Sequence, residues 1–148
     1  MQDDNLTVEQ VRDFSALAGT IIPASPAYDV PGADDHKIFK DILRSVERDH
    51  DDVCRALTHL ATLAGGPFAD LGAKRRAEVA ATFRETGGAP LAALVRVVLL
   101  CYYRDDRVMR SLGQEPRPPF PKGHVVEQGD WSLLDPVRAR ARMYRLVD

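Results

Sequence analysis

Cysteine is nearly missing from this sequence, whose 148 residues hold only Cys54 and Cys101. Two cysteines cannot build the multi-bridge framework of a small secreted scaffold. Far apart and inside helical patterns, they read as buried reduced thiols packed like small apolar side chains. Neither belongs to a C-x-x-C pair or stands near a helix start that would make it a thiolate. Long apolar runs are lacking too. The most apolar stretch, Ala89 to Tyr103, carries Arg96 and falls short of the roughly 20 residues that a membrane span needs. An excess of one charge is also absent. Twenty Lys and Arg against 22 Asp and Glu leave a net charge of −2, which gives no reason to expect a nucleic-acid or anionic-membrane partner. The opening MQDDNLTVEQ has no basic n-region, no apolar h-region and no twin arginine. It reads as cytoplasmic, or as periplasmic if an export signal has been removed.

What is present is the composition of an ordinary globular domain: 45% hydrophobic and 28% charged residues in 16.4 kDa. That is enough chain to bury a core without disulfides or metals. The stretch APLAALVRVVLLCYY, residues 89–103, is apolar on nearly every side. A helix of that kind is normally buried on nearly every side. The reading is therefore an all-α, single-domain bundle of about five helices around this central one. Residues 1–113 form the helical core, and 114–148 form an irregular proline-rich loop and arginine-rich tail of the same domain.

Around the central helix the pattern runs in order. Thr7 and Gln10 spell a capping box, and Val8, Val11, Phe14, Ala18 and Ile21 give the first helix an apolar stripe over roughly 7–21. Ile22 to Ala33, with three prolines and a glycine, is expected to run extended over a surface without closing a tight hairpin. From Asp34 a second helix opens with acidic residues in its first turn, and Ile38, Phe39, Ile42, Leu43 and Val46 face inward. Glu47 to Asp52 is a break. Val53, Leu57, Leu60, Ala61 and Ala64 mark a third helix that Gly65, Gly66 and Pro67 end. A fourth spans about 73–85, with Val79, Ala80 and Phe83 inward and Lys74, Arg75 and Arg76 outward. Pro90 suits the first turn of the central helix. Arg104 to Gly113 makes a short amphipathic turn through Val108, Met109 and Leu112, with Gly113 capping it. Gln114 to Pro136 then holds five prolines and the single Trp131, a length of loop that is uncommon unless it binds something or is disordered. Its aromatic and leucine residues argue against plain disorder. In the last segment Asp135 and Pro136 signal a helix start, whereas Val137, Ala139, Ala141 and Met143 alternate with arginines at strand period. An extended arm and a brief helix both remain open.

Catalytic chemistry has little to stand on. Glu47 and His50 form E-x-x-H, half of a di-metal bundle site, but the second half and its carboxylates are missing. With Asp49, Asp51 and Asp52 beside it, this is a solvated helix end. His36, His59 and His124 stand isolated, no G-x-S-x-G elbow supports a triad, and no G-x-G-x-x-G follows a strand. No catalytic, metal or cofactor-binding residue is therefore assigned. The arginines from Arg138 to Arg145 can meet phosphates but better suit a protein interface. Pro116 to Pro121 is stiff, and serves equally well as a preorganised docking loop or as a cover for the domain's own core. Arg96 either pairs inside the domain or emerges at an interface.

Two stretches resemble a known family. LTVEQVRDFSALAGTIIPASPAYDVPGADD, at the front, resembles the opening of the small-subunit family named after gluconate 2-dehydrogenase subunit 3. YYRDDRVMRSLGQEPRPPFPKGH is similar to that family's aromatic pair, short helix ending in L-G, and proline-rich loop ending in P-x-G. The resemblance implies a helical, cofactor-free small subunit. Its partner would be a large flavoprotein of the glucose-methanol-choline oxidoreductase type, holding FAD and a catalytic histidine and oxidising a sugar, glycoside or polyol hydroxyl. Family members often begin with a twin-arginine signal, from which this sequence departs. On this reading Pro118, Pro119, Phe120, Pro121, Trp131, Arg138, Arg142 and Tyr144 contact the partner. The alternatives are a free-standing helical metal- or ligand-binding protein using the His50 region, and an interaction module for another partner.

Overall fold

The first helix of the computed structural model begins at the expected capping box. The Thr7 hydroxyl accepts from the Gln10 N–H at 3.2 Å, and the Gln10 side chain accepts from the Thr7 N–H at 2.9 Å. The structure describes residues 6–117, 123 and 127–141, and the chain divides into two compact units, Met1–Pro116 and Arg117–Asp148. The described residues contain seven α-helices and no strand, so the fold class is all-α.

In the first unit, α1 (Val8–Ile21) buries Phe14, Leu17 and Ala18. Val8 was expected inward but is 81% exposed. At 100° per residue it lies roughly a quarter-turn away from the face that carries Phe14 and Ala18. The connection from Ile22 to Ala33 also departs from expectation, for it closes on itself. Ser25 and Val30 exchange backbone hydrogen bonds of 3.0 and 3.2 Å around a 3₁₀ turn at Pro26–Tyr28. Pro26 presets the turn, and Asp29 takes the left-handed φ of 52° that short polar side chains tolerate.

Helix α2 (His36–Ser45) has no acidic residue in its first turn. Asp35 stands one place earlier as N-cap, its carboxylate accepting from the N–H groups of Lys37 and Ile38. Ile38, Phe39, Ile42 and Val46 are buried as expected. A 3₁₀ turn, Glu47–Asp49, makes the break before α3 (His50–Ala64), and α3 ends at Gly65 with φ 74°, where a residue without Cβ is favoured. After a second 3₁₀ turn, Phe68–Asp70, α4 (Ala73–Thr86) buries Val79 and Phe83. Arg76 turns inward, contrary to expectation. It donates to the Ala69 carbonyl, and its guanidinium lies 6.0 Å from the Phe68 ring centroid, because its long stem covers apolar surface while its head finds a carbonyl.

Helix α5 (Gly88–Tyr103) meets α4 at 116° and packs chiefly on α3 and α2. Ala93, Leu94, Val97, Val98, Cys101 and Tyr102 are buried, but the opposite face is not. Leu99, Leu100 and Tyr103 are exposed, Leu100 by 57% and Tyr103 by 53%. The expectation of burial on nearly every side is thus corrected: the neighbouring helices cover one side of α5 only. Helix α6 (Asp106–Ser111) buries Val108 and ends in a Schellman arrangement. The Gly113 N–H donates to Arg110 and the Gln114 N–H to Met109, with Gly113 at φ 72°. Leu112, expected inward, is exposed.

The described part of the second unit holds a 3₁₀ turn at Trp131–Leu134 running into the four-residue α7 (Asp135–Arg138), with Pro136 in its first turn. Over the described residues 135–141, the segment from Asp135 starts with the brief helix. Among the described residues no single helix is long and apolar enough to cross a membrane.

Candidate partner surface

Three polar ties fix the upper edge of α5 and the elements around it. The Tyr102 hydroxyl donates to the Pro31 carbonyl at 3.2 Å. Arg104 donates to Asp41 and Ser45, each at 2.6 Å. Arg107 is the busiest. Its guanidinium donates to Asp35 at 2.6 and 3.2 Å and to Asp105 at 2.9 and 3.2 Å. Asp35 caps α2, and Asp105 caps α6 by accepting from the Arg107 N–H. One arginine therefore holds the cap carboxylates of two helices.

Electrostatics follow this geometry. The Arg107 hydrogen bond holds the Asp35 carboxyl below the ordinary value, against a smaller opposing effect of burial. For Asp105 burial is the largest single influence and raises its pKa, yet Arg107 and Lys37 together outweigh it and leave the carboxyl low. Burial pushes both thiols up, that of Cys54 with help from Asp51. Neither cysteine is poised as a nucleophile.

Two of these ties, Tyr102 to Pro31 and Arg107 to Asp35, join residues before α2 to residues at and after the end of α5. The loop from Ala24 to Pro31 and the outer side of α6, at Arg107, Arg110 and Ser111, line one groove of about 680 Å³, with Tyr28 exposed beside it. Sequence reasoning placed no functional residue there.

A second groove, of about 930 Å³, lies between the start of α1, the end of α2 and the start of α3, with His50 and the carboxylates from Glu47 to Asp52 on its rim. His50 and Cys54 touch, but the sulfur stands 3.6 Å from one ring nitrogen and 3.8 Å from the other. Such near-equal spacing is that of a thiol packed on the ring, not one converging with a nitrogen lone pair on a common point. Among the described residues no three His, Cys, Asp or Glu side chains group to hold a metal. Asp49 instead pairs with Arg96, so the lone charge of α5 is met inside the unit.

Of the residues expected to touch a partner, Trp131 and Arg138 are described. Both lie in the short helical segment of the second unit. Trp131 is 61% exposed, its indole N–H donating to Gln128 at 3.3 Å, and Arg138 pairs with Asp135 at 3.2 Å. Leu133, Leu134 and Val137 of the same segment are exposed as well. Pro118, Pro119, Phe120, Pro121, Arg142 and Tyr144 lie outside the described residues. Sequence reasoning missed Leu99, Leu100 and Tyr103, since hydropathy marks them as core. No family model, curated protein or solved structure matches the chain.

Proposed function

We propose that this chain is a non-catalytic small subunit that assembles with, and stabilises, a large FAD-dependent oxidoreductase of the glucose-methanol-choline type acting on a sugar, glycoside or polyol hydroxyl. FAD and the catalytic groups belong to the partner in this reading. The observation that supports it best is the joining of the two family-like stretches. They are far apart in sequence, yet Tyr102 bonds to Pro31 and Arg107 to Asp35, so one end of each meets the other within the first unit.

The proposed contacts are Trp131 and Arg138, together with Pro118, Pro119, Phe120, Pro121, Arg142 and Tyr144. An exposed tryptophan flanked by leucines and arginine has the composition of an interface centre. Affinity purification of the tagged chain from its native host tests the reading. The expected result is a yellow complex whose large component carries flavin. A soluble, stable monomer that never recruits a flavoprotein would overturn it.

A further inference from the structure

We propose that Arg107 is a latch. It holds α6 and the segment from Asp34 to Lys37 as one unit that opens and recloses locally, while the helical core stays folded. Helix α6 has six residues, well below the roughly 12–15 at which an isolated helix becomes even marginal in water. It must therefore be held by its surroundings. Val108 is its one buried side chain, so apolar packing holds it at a single point.

The remaining hold is polar, and its four shortest links run from one side chain. Arg107 bonds to Asp105, which caps α6 itself, and reaches 72 residues back along the chain to Asp35, which caps α2. Lys37 stands 4.0 Å from Asp105 on the same side. Asp35 in turn is tied backwards, its N–H donating to the Gly32 carbonyl at 3.1 Å. Losing the guanidinium loosens both caps together, because it is the one group that bonds to both carboxylates, and Asp105 then keeps only Lys37 at 4.0 Å. The core has no such dependence: Leu57, Leu60, Leu94 and Val98 are fully buried among α3 and α5. Local opening of weakly held elements below the global unfolding free energy is a general property of folded chains. Here Arg107 is the residue that links the two caps. A lysine cannot replace it, having no planar fork to bridge two carboxylates.

Native-state hydrogen exchange on the full chain tests the latch, with Arg107→Ala and Arg107→Lys compared to the parent. Amides at 105–114 and 34–37 are expected to exchange at least tenfold faster in both variants, while those of Leu57, Leu60, Leu94 and Val98 change less than twofold. Should the alanine variant not fold, the lysine variant gives the same readout. A uniform acceleration over all helices would make Arg107 a global stabiliser only and overturn the proposal. Unchanged exchange at 105–114 would overturn it as well.

Discussion

Asp105 shows how much a single side chain carries in this fold. Its carboxylate is nearly buried, caps α6 and faces both Arg107 and Lys37. Because its folded-state pKa is depressed, its contribution is present above the ordinary carboxylate value of about 4. That contribution is lost as pH falls through the lower folded value. Asp105→Asn is accordingly expected to cost about 1–3 kcal/mol at neutral pH. The difference from the parent should shrink when urea unfolding is repeated near pH 3. A gap that stays constant with pH would remove the carboxylate's charge from the explanation. Asp13 is the comparable case on α1. It is buried and accepts the Ala69 N–H at 2.8 Å, so Asp13→Ala leaves a donor unpaired, at a cost of about 1–3 kcal/mol by the same measurement.

Among the elements, the junction between α4 and α5 is closely packed. A Cβ on Gly87 would come 2.5 Å from the Leu91 Cβ and 2.8 Å from the Phe83 carbonyl oxygen, and Gly88 comes next in the left-handed region at φ 56°. Gly87→Ala should destabilise by about 1–3 kcal/mol through overpacking, read as a drop in Tm. The two faces of α5 should respond differently to truncation. Leu94→Ala on the buried side is expected to cost about 2–5 kcal/mol, whereas Leu100→Ser on the exposed side should stay within about 0.5 kcal/mol. This contrast also marks what could be read from the sequence. The Thr7 and Gln10 box and the Gly65 stop were legible because their signals are local, a side chain and the backbone a few residues away. The outward face of α5, the closed loop at Ser25 and Val30, and the inward turn of Arg76 were not, since each depends on which distant residues arrive beside it. The Arg107 arrangement was invisible for the same reason, its partners being spread from Asp35 to Asp105.

Among the described residues the buried core lies in the first unit, and Trp131 and Arg138 lie in the second. Deleting residues 114–148 is therefore expected to leave the helical circular-dichroism signal and the cooperative unfolding of the first unit in place. Capture of the proposed flavoprotein partner should be abolished. Retained capture would move the interface to the first unit, where the groove beside Tyr28 and the exposed residues of α5 are the surfaces to test next. Of the partner contacts read from the sequence, only Trp131 and Arg138 have a described setting, and both are exposed on a short helical segment. Composition flagged them as unusual. It had no means of saying what they face.

The ion pair between Arg96 and Asp49 also bears on how α5 is turned about its own axis. A helix whose side chains are leucine, valine and alanine on most of its circumference offers several rotational settings of similar packing energy. Hydrophobic contacts alone select poorly among them. A charge that finds its partner in only one setting lifts that degeneracy, as polar groups at apolar seams fix register elsewhere. Together with the ties of Tyr102 and Arg104, the Arg96 pair fits the setting in which Leu99 and Leu100 face solvent. Arg96→Leu should leave the unfolding midpoint nearly unchanged yet broaden the methyl resonances of Leu94, Val97 and Val98 into several exchanging sets.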